Sequence, residues 1–485
     1  MSDKEMRRKS YIESQTDSQR NSRISSHTER CINRIMLAGT GSGCGKTTVT
    51  CALLKAFVLK GIKATGFKCG PDYIDPMFHS EIIGTKSRNL DLFLCGENTV
   101  KYLLSENGKG ADISVIEGVM GLYDGLGFTD DGFSANHIAR ATKTPEILVM
   151  GVRGKSLSLL AELSGYLNYA ENNIKGVILN QCSSGMYPVY RKMIEEAFPD
   201  VKVYGYLPRI PEAELGSRHL GLVTADEVAD LKEKTEALGA AAASSLDIEG
   251  ILKLSQSAPA MEFEEISVES VVFGKEKPRI AVAKDKAFCF YYEDNFRLLE
   301  KLGAEIVFFS PLKDEKLPEH ISGLYLGGGY PEEHLKELSE NRMMLREIKG
   351  AVLDGLPTFA ECGGFMYLCQ SIEKDGFVYE TAGALPGSSH MTQGLVRFGY
   401  KTLTANRENL MCGKGDSIRC HEFHYSDSNC HGDGFTAEKG KRTWQTIQAS
   451  ETYFAGYPHL HLWGNIAFAE NFVKACCAYG GKPWK

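Results

Sequence analysis

The chain has 485 residues, which indicates about two or three domains, and 43% of them are apolar, which is enough for buried cores. A formal net charge of −7 argues against nucleic acid and acidic membranes as general partners. No apolar run approaches the roughly 18 residues of a membrane helix, no signal peptide opens the chain and the fourteen cysteines form no CxxC pair, so we expect a cytoplasmic protein with free thiols.

Composition and periodicity divide the chain into four segments. Residues 1–30 are polar and nearly free of bulky apolar side chains, which predicts a disordered tail. Residues 31–230 alternate short apolar strands with helical patterns, so we expect an α/β domain with a parallel sheet covered on both faces. Residues 231–275 are interpreted as a linker region. Residues 276–485 start a second α/β series, which makes the predicted fold class a two-domain α/β protein.

A glycine-rich turn at residues 39–48 opens the first α/β segment, between an apolar strand and a helical pattern. Glycines let successive N–H groups point at phosphate oxygens, with a helix N-terminus behind them. In that arrangement Lys46 would reach the β- and γ-phosphates and the Thr47 hydroxyl would bind Mg²⁺. Thr40 stands where the usual motif has glycine, which leaves a plain glycine-rich turn as the alternative. The predicted nucleotide-binding residues here are Gly41, Gly43, Gly45, Lys46, Thr47 and Thr48.

Three predicted strands of this segment end in polar side chains, Lys68, Glu117 and Asn180. Ligands of parallel sheets bind beyond the carboxyl ends of the strands. Mg²⁺ prefers one or two carboxylates, so Glu117 is the best-placed metal ligand, followed by Asp72 and Asp75 in the loop after the second strand. A turn or helix-cap role is the alternative for both aspartates. The Asn180 amide could read a purine edge or act as a cap.

In the second α/β segment, Cys362 lies where a short apolar strand turns into a helix through two glycines. Such an elbow exposes a nucleophile at a helix N-terminus, where the dipole favours the thiolate. The glycines at 327–329 follow another strand and could provide an oxyanion hole. A histidine must take the thiol proton, and His459 and His461 are the candidates.

Residues 420–431 contain two cysteines, three histidines and a glutamate, which are enough ligands for zinc. Their spacing matches no usual zinc pattern. A polar, partly buried segment of an active site is therefore the favoured interpretation.

These motifs together resemble the cobyrinic acid a,c-diamide synthase family, from about residue 34 to residue 461. The matching stretches are 39–48, 70–76, 117–125, 218–222, 287–292, 361–364 and 421–426. The first half is similar to dethiobiotin synthetase, whose phosphate loop also carries Gly-Thr ahead of Gly-Lys-Thr, and this accounts for Thr40. The second half is similar to class I glutamine amidotransferases.

The resemblance implies a glutamine-hydrolysing carbon–nitrogen ligase. Cys362 would attack glutamine and release ammonia, and His459 would activate it. His461 stands where that class has a glutamate, so a Cys–His dyad is the expected arrangement. ATP, with Mg²⁺ held by Thr47, Glu117 and Asp72, would convert the a and c carboxylates of cobyrinate to acyl phosphates, and ammonia would then displace phosphate.

Three alternatives stay open at this point. Cobyric acid synthases share the two-domain plan but amidate other side chains, and residues 70–76 and 421–425 fit the a,c family better. A nickel-bearing sirohydrochlorin is hardly separable from cobyrinate as the substrate. A partition-type ATPase switch would account for the first half alone. The expected partners are a tetrapyrrole, ATP and L-glutamine, with a homodimer as the assembly.

Overall fold

Seven parallel strands form the sheet of the N-terminal half. The computed structural model describes residues 24–127, 129–213, 225–272 and 276–480. In spatial order the strands are Ser87–Leu90, Ala64–Cys69, Ile113–Glu117, Arg34–Gly39, Glu146–Gly151, Ile174–Asn180 and Lys202–Leu207. The predicted parallel sheet is therefore confirmed.

Helices cover both faces of this sheet because side chains along each strand alternate between the faces. Ile35 and Leu37 pack on one side, against helices Lys46–Leu59, Ala225–Ser245 and Ile248–Gln256. Met36 and Ala38 point to the other side, which is covered by helices Glu97–Gly108, Ala135–Ala141, Ser158–Tyr169 and Tyr187–Ala197. Shorter helical turns are Ile74–Phe78, His79–Ile83, Leu92–Cys95 and Pro211–Ala213.

The C-terminal half is built on a six-stranded sheet. Its order is Glu305–Phe309, Arg279–Ala283, Gly323–Leu326, Thr358–Glu361, Tyr453–Gly456 and Gln448–Ala449, all parallel except the last strand. Its helices are Glu293–Lys301, Pro331–Glu333, Leu335–Glu340, Arg342–Leu353, Gly363–Leu368, Leu462–Gly464 and Ile466–Tyr479.

Smaller sheets stand beside it. One contains Arg442–Thr446, Phe435–Lys439, Gly399–Ala405, Ser417–Glu422 and His459–Leu460. Another contains Phe377–Glu380, Ser371–Lys374, Ser388–Met391 and Ser426–Ser428, and a two-stranded ribbon joins Phe288–Phe290 to Gly328–Gly329. No helix in the described ranges has the length and apolar character needed to cross a membrane.

Two predicted segments differ in the structure. The tail was expected to reach residue 30, but Ile24–Arg30 forms an antiparallel ribbon with Met261–Ile266, and Arg30 pairs with Glu106 at 2.6 Å. The predicted linker contains the end of helix Ala225–Ser245, helix Ile248–Gln256 and this ribbon strand. Helix Ala225–Ser245 packs on helix Lys46–Leu59, so this part of the segment belongs to the first core. Residues 1–23 and the 218–222 stretch lie outside the described residues.

Candidate active sites of the two halves

The phosphate loop connects strand Arg34–Gly39 to a helix that begins at Lys46. Gly43 and Gly45 have φ angles of 80° and 92°, the left-handed region in which glycine carries no steric cost. A Cβ on Gly45 would lie 1.9 Å from the Asn180 Nδ2 atom, so the loop also needs glycine there for space. The predicted residues Gly41, Gly43 and Gly45 thus lie in the turn between the strand and the helix, and Thr48 lies in the first helical turn.

Lys46 folds back over this loop. Its Nζ atom donates to the carbonyl oxygen of Gly41 at 3.1 Å and to that of Met120. Burial lowers the pKa of the Lys46 ammonium. The side chain therefore already lies across the turn where phosphate oxygens would bind.

Glu117 is the centre of a buried charged cluster beside the loop. Its Oε1 atom accepts a hydrogen bond from Thr47 Oγ1 at 2.6 Å and lies 2.7 Å from Lys68 Nζ. The Oε2 atom accepts no hydrogen bond from the described residues and lies 3.7 Å from His79 Nε2. Burial opposes the charge of Lys68, but the carboxylates of Glu117 and Asp75 outweigh it and raise the lysine pKa. A carboxylate oxygen and a hydroxyl side by side are donors of the kind that Mg²⁺ accepts.

The two aspartates of the following loop have different contacts. Asp72 Oδ1 accepts hydrogen bonds from the backbone N–H groups of Ile74 and Asp75, at 2.9 and 3.0 Å, which is the turn role named above as the alternative. Its Oδ2 atom is 4.0 Å from Lys68 Nζ, whereas Asp75 Oδ2 is 2.6 Å away. Burial raises the pKa of Asp72. Asp75 therefore belongs to the Glu117 cluster more directly than Asp72, whose metal role stays a prediction.

Asn180 supports the loop. Its Nδ2 atom donates to the Cys44 carbonyl at 3.0 Å, so the donor end of the amide holds the turn and does not point away from it. The purine-reading role stays a prediction.

The predicted elbow is present at Cys362, which ends strand Thr358–Glu361 with a φ angle of 47°. A Cβ on Gly364 would lie 2.2 Å from the Leu326 carbonyl oxygen, so the turn can pass the neighbouring strand only with glycine there. Burial raises the pKa of the Cys362 thiol, which opposes the expected thiolate, so the nucleophile role of Cys362 stays a prediction. The helix that follows, Gly363–Leu368, has six residues.

His459 begins the short strand His459–Leu460 and pairs in register with His421 of the neighbouring antiparallel strand. Burial, with the His424 charge adding to it, lowers the pKa of the His459 ring to about 3, so the ring is neutral near pH 7. A Cβ on Gly328 would come within 2.5 Å of His459 Cε1, which places the ring against the predicted oxyanion loop. His461 is buried against the Tyr292 ring with a centroid separation of 4.7 Å.

Glu361 was not singled out from the sequence. This buried carboxyl accepts hydrogen bonds from the Leu460 backbone N–H at 2.5 Å and from Tyr325 Oη at 2.7 Å. Glu361 directly precedes Cys362 and Leu460 directly follows His459, so this hydrogen bond links the chain neighbours of the predicted nucleophile and base. Burial raises the pKa of Glu361 to about 8.

A cavity of about 590 Å³ lies between the two halves and is lined by residues of both. Cys362, Gly329 and His459 line it from the C-terminal half, and Asp72 and Tyr73 line it from the N-terminal half. The Tyr73 ring packs between the two halves, with its centroid 5.2 Å from the His459 ring, 5.1 Å from Phe290 and 4.7 Å from Tyr292. The predicted nucleophile and base thus face one cavity that also borders the loop after strand Ala64–Cys69.

Residues 420–431 contribute a buried ionic network to the same cavity wall. His424 Nε2 lies 3.0 Å from Glu422 Oε2, and Glu422 Oε1 lies 2.9 Å from Lys401 Nζ. Within the described residues, no group of three or more His, Cys, Asp and Glu side chains is arranged to hold a metal ion.

Comparison with known proteins identifies the class first. Residues 35–223 match the CobQ/CobB/MinD/ParA nucleotide binding domain, and residues 279–466 match the CobB/CobQ-like glutamine amidotransferase domain. The phosphate loop lies in the first of these domains and Cys362 lies in the second. The chain is therefore a nucleotide-binding domain fused to a glutamine amidotransferase domain.

Full-length relatives identify the family. The chain is 43% identical to cobyrinate a,c-diamide synthase of Clostridium acetobutylicum over 91% of its length and 99% of the relative's. It is 42% identical to the enzyme of the same name from Clostridium tetani, over 91% and 99% of the two chains. The relative from Thermoplasma volcanium is 40% identical over 93% and 99%. The chain belongs to the cobyrinate a,c-diamide synthase family.

Proposed function

We propose that the protein catalyses the ATP- and glutamine-dependent amidation of the a and c carboxylates of cobyrinate, as a step of corrinoid biosynthesis. The relatives that carry this name match nearly the whole chain. The observation that carries the proposal is the cavity shared by Cys362 and His459 with Asp72 and Tyr73, because it lets a nitrogen source and a carboxylate-activating site work on one substrate.

In the glutaminase half, the neutral His459 ring accepts the Cys362 thiol proton as the sulfur attacks the glutamine carboxamide carbon. The protonated His459 ring then gives its proton to the amide nitrogen as the C–N bond breaks, so that ammonia leaves, and water cleaves the thioester to give glutamate and free thiol. Gly329, in the predicted oxyanion loop, lines the same cavity, which supports a backbone N–H of this loop as the donor to the charge that develops on the carbonyl oxygen.

In the synthetase half, Lys46 and the loop N–H groups bind the nucleotide phosphates and stabilise the charge that develops as the γ-phosphoryl group moves to a substrate carboxylate. The Thr47 hydroxyl and the Glu117 carboxylate, which lie side by side, would hold Mg²⁺, which supplies positive charge to the phosphates when bound. A carboxylate is a poor acceptor for amines until its oxygen becomes a leaving group. Ammonia can then attack the acyl phosphate, so that inorganic phosphate leaves and an amide remains.

The test is to incubate the full chain with ATP, Mg²⁺ and glutamine and to offer cobyrinate and nickel-sirohydrochlorin separately. We expect two amides on cobyrinate by mass spectrometry, with ADP and glutamate formed in step. If only nickel-sirohydrochlorin gains two amides, then nickel-sirohydrochlorin is the substrate and cobyrinate is not. Nucleotide hydrolysis without any amide product would favour the ATPase switch. Cytoplasmic location and a homodimer stay predictions, and the mass in solution checks the latter.

A further inference from the structure

Three aromatic side chains stand exposed at the mouth of the shared cavity. Phe398, Phe423 and Tyr425 are 44%, 52% and 47% exposed, although each lines the cavity. Their rings contact one another edge to face. The centroids are 5.5 Å apart and the planes 80° apart for Phe398 and Phe423, and the corresponding values are 6.0 Å and 77° for Phe423 and Tyr425. We call these three residues the aromatic ledge.

The ledge is held in place by the buried network beneath it. Along residues 422–426, exposed and buried side chains alternate, and the buried His424 bridges Glu422 at 3.0 Å and the Ser426 carbonyl at 2.8 Å. Burying an ion pair is weak as a source of stability, since desolvation offsets the attraction. The network instead holds residues 422–426 in one conformation. In that conformation the rings of Phe423 and Tyr425 lie at the cavity mouth.

Resting on the proposed function, we propose that the aromatic ledge is the surface on which the tetrapyrrole macrocycle stacks. A conjugated macrocycle offers broad flat faces, and aromatic rings pack against such faces over a large apolar contact area, with their own faces or with their edges. Because neighbouring ledge rings stand edge to face, a macrocycle stacked on one ring would meet the edge of the next. Glutamine and nucleotide phosphates need no such surface. The ledge is continuous with the cavity that holds Cys362 and borders Asp72, so a stacked ring would place its edge carboxylates toward the place where ammonia is released.

The ammonium group of Lys439 next to the ledge suits a carboxylate of the ligand, although Asp72, Glu332 and Glu333 also line the cavity. Lys439 is exposed, and its Nζ atom lies 5.7 Å from the Phe398 ring centroid. A peripheral carboxylate of a macrocycle stacked on Phe398 would meet this ammonium group. The glutaminase half would then bind the substrate as well as supply the nitrogen.

The test uses Phe398→Ala, Phe423→Ala and the conservative Phe423→Tyr in the full chain. Binding of cobyrinate is titrated by its visible absorbance, and KM for cobyrinate is measured with ammonium as the nitrogen source. Each alanine variant should raise Kd and KM about tenfold, the effect of losing one well-packed aromatic contact, while Phe423→Tyr stays near wild type. Phe377→Ala is the matched control, because Phe377 is 66% exposed in the same half and lies on strand Phe377–Glu380.

Unchanged Kd and KM in both alanine variants would overturn the ledge proposal while leaving the amidation activity of the wild type intact. An equal rise in Phe377→Ala would overturn it too, since the effect would not be local. Unaltered glutamine hydrolysis in the variants would support the proposal by excluding a damaged glutaminase site. If Phe423→Ala loses glutamine hydrolysis, the Kd and KM of Phe398→Ala alone decide whether the ledge binds the macrocycle, because Phe398 lies outside the buried network. If the wild type amidates no tetrapyrrole, it is the proposed function that fails.

Discussion

Glu361 gives the sharpest test of how the glutaminase site is assembled. Its carboxyl accepts the Leu460 N–H and the Tyr325 hydroxyl, so it fixes the strand that carries His459 relative to the elbow that carries Cys362. Glu361→Ala removes both contacts, whereas Glu361→Gln keeps an acceptor for Leu460 and leaves the Tyr325 hydroxyl free to turn. Glu361→Ala therefore tests the positioning of the strand that carries His459, and Glu361→Gln tests the effect of the ionisable carboxyl group.

The magnitude follows from the contacts. Leaving the Leu460 N–H buried without an acceptor and losing the packing of the side chain costs about 3 kcal/mol in all. For a half of this size that corresponds to a melting temperature lower by about 6–12 °C. A displacement of His459 by about 1 Å would lower the glutaminase kcat about a hundredfold. Ammonia-dependent amidation should be much less affected, because it does not use Cys362.

The pH dependence carries a second prediction for the same residue. The folded pKa of Glu361, about 8, lies above the ordinary value of 4.5, so the folded state binds the extra proton. The resulting stability is complete below about pH 4.5 and is lost as the pH rises through 8, with a slope of up to about 1.4 kcal/mol per pH unit. Glu361→Gln should remove the contribution of this residue to the slope and leave that of Glu146, whose pKa burial also raises to about 8.

Calorimetry of the full chain between pH 5 and 9, together with glutamate release assays, checks both effects. Glu146→Gln is the control, because burial also raises the pKa of Glu146 to about 8 but that residue lies in the N-terminal sheet. It should change the pH slope without changing glutamine hydrolysis. Wild-type glutaminase kcat in Glu361→Ala, or an unaltered pH slope in Glu361→Gln, would refute the reasoning.

Three further variants test the two sites. Cys362→Ser should abolish glutamine-dependent amidation and keep the ammonium-dependent reaction, and loss of both in amide counts by mass would contradict the nucleophile assignment. Lys46→Ala should remove amidation with either nitrogen source, because no acyl phosphate forms; normal turnover with ammonium would argue against the phosphate-loop role. Glu117→Gln should raise the Mg²⁺ concentration for half-maximal activity severalfold, and an identical Mg²⁺ titration would exclude it as a ligand.

The sequence was informative where a function needs a local pattern. The glycine-rich loop and the glycine-flanked Cys362 are contiguous motifs, and the structure has a strand, a turn and a helix at both places. The pairing of Ile24–Arg30 with Met261–Ile266 was not predictable, because a polar strand whose partner lies more than 200 residues away leaves no local signal. The edge strand Ser87–Leu90 was missed for a similar reason, since it is short and mostly polar.

Assigning the carboxylates also required the fold. Asp72 and Asp75 are indistinguishable by composition, and only the turn geometry directs one toward backbone N–H groups and the other toward Lys68. Glu361 and Glu422 could have drawn attention as acidic residues within otherwise apolar or motif-bearing stretches. Their roles still depend on partners from distant strands, Leu460 and Lys401.

The loop after strand Ala64–Cys69 explains why the two reactions belong to one cavity. Asp75 binds Lys68 of the Glu117 cluster, and two residues earlier Tyr73 packs on the His459 ring. The segment that runs from this loop into the helical turn Ile74–Phe78 therefore contacts both the Glu117 cluster and the His459 ring. An acyl phosphate is lost to water and ammonia is lost to bulk solvent, so both intermediates gain from a site in which they meet without release. In the proposed mechanism, a segment that contacts both sites would hold the distance between them, and that distance would decide whether ammonia or water reaches the acyl phosphate first.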